Sequence, residues 1–128
     1  MIKTKSYALG GVTSDWLAWE LDGNHRPSRE NVTIAVKQNL SDGTVVSYND
    51  QKQIQAYTAQ DNEVPVGIYV GETIATTNSD LGQGVIVARS ARIVPNNIRF
   101  AVASLTDEQL ATALADLAKI NITTVRQA

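Results

Sequence analysis

The residues best suited to catalysis are few and lie near the N-terminal end of the sequence. Glu20 and Asp22 share one face of a strand by spacing, as two carboxyl groups of a glycosidase could. His25 is the single histidine and the only candidate base for a hydrolytic triad, but no Gly-x-Ser-x-Gly motif accompanies it. No Gly-Lys-Ser/Thr phosphate loop is present either. We therefore predict no enzymatic activity, no cofactor and no metal.

Charge is distributed unevenly along the chain. The 11 basic and 13 acidic residues sum to a net charge of -2, which does not indicate a globally basic nucleic-acid-binding protein. No acidic residue lies between Asp80 and Asp107, whereas Arg89, Arg92 and Arg99 do. These arginines are either solvated side chains or a local basic stripe that the net charge hides.

The segment from Glu30 to Asn39 has the clearest strand pattern, because its side chains alternate in character. One face carries the aliphatic residues Val32, Ile34 and Val36. The other face carries Thr33, Ala35 and Lys37. The first face needs a core, and the second meets either water or a ligand that suits threonine and lysine.

The composition indicates one domain over residues 1–128, long enough to form a core without metal or disulfide support, and there are no cysteines. No apolar run approaches the roughly 20 residues of a membrane span, so no membrane partner is predicted. The first residues lack the apolar region of a secretory signal.

Strand patterns fill residues 1–104, and a helix follows over 105–120. Thr106 and Gln109 form a capping box at the start of this helix, and Leu110, Leu114 and Leu117 form its apolar stripe. Residues 121–128 are a tail, either a short strand or extended. The predicted fold is α+β, with an antiparallel sheet of about six strands and a C-terminal amphipathic helix packed on one face.

A helix of three to four turns cannot cover a sheet of that size. Either one face of the sheet is solvated, or a second chain supplies the missing cover. We expect an obligate dimer in which the leucine stripe packs on the partner's sheet.

Two short motifs resemble the coat proteins of the small single-stranded RNA bacteriophages, the levivirus-like family. They are "VTIAVKQ", from Val32 to Gln38, and "TDEQLATAL", from Thr106 to Leu114. The order of elements and the length are also similar. The resemblance implies interlocked homodimers, ninety of which build an icosahedral T=3 shell in the host cytoplasm. It places the protein in the virion as a capsid protein that packages single-stranded genomic RNA.

The resemblance also implies that the face with Thr33 and Lys37 contacts RNA, although Ala35 replaces a hydroxyl residue of the family. On the same model Arg99 neutralises phosphate, and a middle strand offers weaker candidates for RNA contact. These weaker candidates are Gln53, Gln55 and Tyr57. Two other classes stay open on the residues alone. One is a small β-rich enzyme that uses His25 or the pair Glu20 and Asp22, and the other is a protein-binding adaptor domain.

Overall fold

The structure is a computed structural model that describes residues 13–21, 28–60, 63–101 and 105–125. The predicted residues Asp22 and His25 lie outside these ranges. The helices are α1 (Thr13–Trp16) and α2 (Asp107–Lys119), and a 3₁₀ turn spans Pro95–Asn97. The strands are β1 (Leu17–Glu20), β2 (Arg29–Ile34), β3 (Asn39–Leu40), β4 (Val45–Tyr48), β5 (Ile54–Ala56), β6 (Pro65–Val70), β7 (Ile74–Ala75), β8 (Gly82–Val87), β9 (Ala91–Ile93) and β10 (Ile122–Thr124).

The strands form a small barrel, a three-stranded sheet and a two-stranded ribbon. The barrel is closed in the order β2-β5-β4-β6-β8, and its parallel β2–β5 contact joins Ile34 to Ile54. The sheet has the order β1-β9-β10, with β10 parallel to β9, and the ribbon pairs β3 with β7. The α+β class is therefore supported, but the prediction of one antiparallel sheet is wrong.

Glycines in β8 allow the barrel to close tightly. A Cβ atom on Gly84 would lie 3.0 Å from the ring of Tyr69 and 3.2 Å from Ile34. On Gly82 it would lie 2.9 Å from both Ile74 and Thr76. Side chains at these two positions would occupy space that neighbouring strands already fill. Because glycine has no side chain, the strands can approach one another closely and the sheet can curl into a closed barrel.

Two hydrophobic cores lie on opposite sides of the barrel wall. The interior core consists of Val32, Ile34, Leu40, Val46, Ile54, Tyr69 and Ile86. The outer core lies between the barrel, α2 and the three-stranded sheet, and consists of Trp16, Val45, Tyr57, Ile68, Val87, Ala91, Ile93, Ile98, Ala113, Leu117 and Ile122. Adjacent residues such as Val45 and Val46 enter different cores, because successive side chains of a strand point in opposite directions.

The predicted alternation from Glu30 to Asn39 holds only in its first half. Val32 and Ile34 are buried as expected, but β2 ends at Ile34 and the next residue, Ala35, is buried as well. Lys37 has a φ of +61° and lies in a turn, where its backbone N–H donates to Thr77. The expected face with Ala35 and Lys37 is therefore wrong, because the chain turns before the alternation can continue.

The helix starts as predicted. The N–H of Gln109 donates to Thr106 Oγ1 at 3.0 Å, and the N–H of Thr106 donates to Gln109 Oε1 at 3.0 Å, which confirms the capping box. Leu117 is fully buried in the outer core of its own chain, while Leu114 and Leu110 are half-buried. Packing of this stripe on a partner's sheet is therefore wrong for Leu117, since its own barrel already covers it.

The argument for an obligate dimer also loses its basis. It assumed that an open sheet needs more cover than one helix provides, whereas the closed barrel buries its own interior face. Dimerisation itself stays a prediction. After the helix, the expected tail begins with strand β10, which pairs with β9 from Ile122 to Thr124.

We predict that Leu117→Ala lowers the free energy of unfolding by about 2–5 kcal/mol, because it removes a buried side chain and leaves a cavity. Leu110→Ala, in the same stripe but half-exposed, is the control and should cost clearly less. Urea unfolding followed by far-UV circular dichroism measures both. Equal losses would show that Leu110 is buried as deeply as Leu117, as packing of the whole stripe on a partner requires.

Candidate functional site

The residues expected to bind RNA do not form one surface. Tyr57 is 3% exposed and belongs to the outer core, where its ring centroid lies 6.2 Å from that of Phe100. Burial raises the pKa of the Tyr57 hydroxyl, and the charges of Glu63 and Asp116 raise it further. Strand β5 ends one residue earlier, so the expected stacking of Tyr57 on a base from a solvated strand face is wrong.

The other candidates lie on separate elements. Gln53 precedes β5 in a turn, where its Oε1 accepts a hydrogen bond of 3.2 Å from Asn49 Nδ2. Gln55 pairs with Ser47 across β5 and β4, and Thr33 pairs with Gln83 across β2 and β8. Lys37 is in the turn after β2. A strand pattern alone could not reveal this dispersal, since it depends on which strands become neighbours.

Arg99 borders a polar cleft of about 340 Å³. Its Nε donates to the carbonyl oxygen of Asp42 at 3.3 Å, and its backbone bridges to Thr44. The residues that line the cleft are Asp15, Trp16, Asp42, Asn96, Asn97, Ile98 and Arg99. With carboxylates, carboxamides and one guanidinium, this cleft is suited to a polar group and not to a run of phosphates.

The cleft is built on a buried tryptophan. The indole Nε1 of Trp16 donates to Asp42 Oδ1 at 3.1 Å, which satisfies two buried polar groups at once. Gly43 follows with a φ of +92°, and a Cβ atom there would lie 2.9 Å from Trp16 Cδ1. Glycine is therefore required for both its backbone conformation and its size.

The local basic stripe does not form, because Arg89, Arg92 and Arg99 have different surroundings. Arg89 pairs with Glu30, and Arg99 contacts Asp42 in the cleft. Arg92 lies in β9 with its guanidinium carbon 6.0 Å from the ring centroid of Trp19. Each arginine thus has a different partner, and only Arg92 lies against an exposed aromatic ring.

Trp19 and Arg92 belong to a row across the exposed face of the three-stranded sheet. Trp19 of β1 and Thr123 of β10 are the cross-strand partners of Arg92. A groove of about 210 Å³ lies here, which we call the outer groove; it is lined by Trp19, Leu21, Ser90, Ala91, Arg92, Asn121 and Thr123. Sequence reasoning missed this site; the signal that could have found it is the alternate spacing of Trp19 and Leu21, which places both on one face of a strand.

Glu20 lies between Trp19 and Leu21 in the sequence, and its carboxylate forms hydrogen bonds within the protein. Glu20 accepts hydrogen bonds from Ser28 Oγ at 2.6 Å and from the Arg29 guanidinium at 2.9 and 2.6 Å. This bidentate pair ties β1 to the start of β2. A glycosidase role for Glu20 with Asp22 gains nothing from this geometry, because the carboxylate is occupied and Asp22 lies outside the described residues.

A second carboxylate organises the loop before β6. Glu63 accepts hydrogen bonds from Ser47 Oγ, Thr58 N, Thr58 Oγ1 and Gln60 N. Burial alone raises the pKa of Glu63, but these hydrogen bonds outweigh burial and hold the pKa below its usual value of 4.5. The ionised form of Glu63 therefore stabilises the loop.

Neither a metal-binding cluster nor a membrane-spanning helix is found within the residues that the structure describes. No group of three or more histidine, cysteine, aspartate or glutamate residues is placed there to hold a metal ion. Within the same ranges, no helix has the length and apolar character needed to cross a membrane.

Comparison with protein families assigns the chain. The family model described as "Bacteriophage lambda head decoration protein D" matches residues 8–122, which is most of the sequence, and the chain therefore belongs to this family. A search of curated proteins gives no significant match. The family is a structural, capsid-associated family of phage heads and not a family of enzymes.

The assignment corrects the resemblance to the RNA bacteriophages. A phage virion protein with a structural role is confirmed, but the levivirus-like family is wrong. The shared motifs consist of the second half of a strand with the turn after it and one capped helix start, which many folds can contain.

We predict that Gly43→Ala destabilises the fold by more than the strain of a left-handed alanine, which is about 1–3 kcal/mol. The added methyl group would also displace Trp16 from Asp42. Gly71→Ala is the matched control, since Gly71 also has a positive φ of +123° but its Cβ would meet only the Tyr69 hydroxyl at 3.9 Å. Chemical unfolding of both variants measures the difference, and equal losses would contradict the role of the Trp16 contact.

We predict that Glu63→Gln is less stable than the wild type at neutral pH. Since the folded-state pKa of Glu63 is lowered, its contribution is complete above the usual value of 4.5 and is lost as pH falls through the folded-state pKa. The difference between the two proteins should shrink on acidification, measured by thermal unfolding from pH 7 to 3. Glu72→Gln, at an exposed position, is the charge-matched control. A difference that stays constant with pH would refute the role of the ionised carboxylate.

Proposed function

We propose that the protein, as a member of a head decoration family, attaches to the surface of an assembled phage head. The observation that carries this proposal is the family match over residues 8–122. In this role the protein binds a shell that other subunits have built, and its own fold supplies a rigid body with a specific binding surface.

The distribution of apolar residues supports a protein-binding role. Most large apolar side chains fill the two cores, and the exposed exceptions among the described residues are Trp19, Leu21, Tyr48, Val64 and Leu81. Trp19 and Leu21 are neighbours in the outer groove beside Arg92. Tryptophan and arginine are the side chains that most often dominate protein–protein binding energy. The outer groove is thus our first candidate for the attachment surface.

Attachment has a thermodynamic consequence for the head. A ligand that binds the assembled shell, and does not bind its separated subunits, stabilises the assembly by mass action. Decoration by this protein should therefore make heads more resistant to heat and denaturant, in proportion to its concentration relative to the dissociation constant.

RNA packaging and self-assembly into a T=3 shell are not part of this proposal. The residues expected to contact RNA are dispersed, and Tyr57 among them is buried. The adaptor alternative is closer to the proposed role, because head attachment is recognition of another protein. Homodimerisation stays a separate prediction, for which sedimentation velocity of the purified protein over a range of concentrations is the test.

We predict that the purified protein sediments with phage heads that lack a decoration protein, reaching saturation at a fixed ratio to the shell subunit. The separated shell subunits are the control and should bind much more weakly. Gel filtration of the protein alone should give a small species without nucleic acid. Failure to sediment with heads would refute the proposed function, and elution as an RNA-filled particle would instead favour a coat protein.

A further inference from the structure

The exposed face of the three-stranded sheet has no cover from any described element. On its other face Ala91, Ile93 and Ile122 are buried in the outer core. Trp19 is 51% exposed and Leu21 is 42% exposed, so these two side chains present apolar surface to solvent beside the otherwise polar groove. An exposed apolar side chain is common on its own, but two beside a groove form a patch that a partner can bury.

The charge of the groove specifies the partner. Arg92 is its only charged lining residue, and among the described residues it forms no ion pair; its contact is with the Trp19 ring. The adjacent acid, Glu20, is held by Ser28 and Arg29. The groove therefore offers an unneutralised guanidinium between an aromatic wall and the hydroxyl of Thr123, which is complementary to a carboxylate.

The edge of the sheet offers further bonds. β1 pairs with β9 on one side, and the outer edge of β1 has no strand partner within the described residues. The open edge of a strand presents N–H and C=O groups that an extended peptide can pair with, while adjacent side-chain positions give specificity.

We propose that the outer groove binds an extended acidic segment of the head shell subunit. A carboxylate of that segment pairs with Arg92, an apolar side chain covers Trp19 and Leu21, and its backbone pairs with the outer edge of β1. This inference rests on the proposed function, since it names the part of the shell that the attachment surface recognises.

A protein segment fits this groove better than a nucleic acid does. Nucleic-acid binding derives most of its affinity from several phosphate contacts, and the groove supplies a single cation. The net charge of the chain, -2, adds no wider attraction for a polyanion. One cation flanked by apolar surface instead matches a segment that alternates acidic and apolar side chains.

Binding of fluorescently labelled protein to undecorated heads tests the inference. Arg92→Glu and Trp19→Ala should each weaken binding at least about tenfold, because they remove the charge pair and the apolar anchor. Lys52→Glu is the control for the charge change and Tyr48→Ala for the loss of an exposed aromatic residue. Both should bind within about twofold of the wild type. Unfolding midpoints verify that each variant is folded. If Trp19→Ala does not fold, the variants Arg92→Glu and Arg92→Ala together carry the test.

A cross-linking experiment identifies the occupant directly. The photo-cross-linking residue p-benzoylphenylalanine is placed at position 19, and the protein is irradiated while bound to heads. The cross-link should join it to an acidic segment of the shell subunit, and mass spectrometry identifies that segment. Reversing the charge of that segment should restore binding of Arg92→Glu.

The possible failures are distinguishable. If the wild type binds heads but Arg92→Glu and Trp19→Ala bind equally well, the groove is not the attachment surface, although the proposed function stands. If the wild type binds no heads, both proposals are wrong. Binding of a 20-nucleotide single-stranded DNA that depends on Arg92 would overturn the protein segment in favour of nucleic acid.

Discussion

The fold depends on one wall of the barrel, in which β4, β6 and β8 bury side chains on both of their faces. Val46, Tyr69 and Ile86 fill the barrel, and the residues next to them in sequence fill the outer core. A closed barrel can enclose the interior core and also carry a second layer, with the outer core, on its outside. Helix α2 and the three-stranded sheet are held in place because this wall presents them with an apolar surface.

Polar side chains then attach the loops to this framework. Trp16 and Asp42 bond to each other beneath the cleft, Glu63 collects four donors from its loop, and Glu20 pairs with Arg29 between β1 and β2. Each carboxylate has hydrogen-bond partners close to it and so contributes to the shape of the molecule. The exposed sheet face around Arg92 instead carries Trp19 and Leu21, two of the large apolar side chains that are exposed among the described residues.

The resemblance to RNA phage coat proteins shows how far local motifs can be trusted. The segment "VTIAVKQ" encodes the second half of a strand and the turn after it, and "TDEQLATAL" encodes a capped helix start. Both are consequences of propensity and capping, which recur in unrelated folds. They identified the helix start and the first part of the strand, and the phage virion role is confirmed by the family match, but they carry no information about where the strand ends or how the strands pair.

The sequence by itself determined the start of α2 and the burial of Leu117, because the capping box and leucine spacing act between residues within a few positions of one another. It also determined burial at Val32 and Ile34, where alternation and apolar character agree. Only the tertiary structure decided the rest. Closure of the barrel and burial of Tyr57 depend on contacts between distant segments. The outer groove exists because β1 and β10, from opposite ends of the described chain, place Trp19 and Thr123 on either side of Arg92.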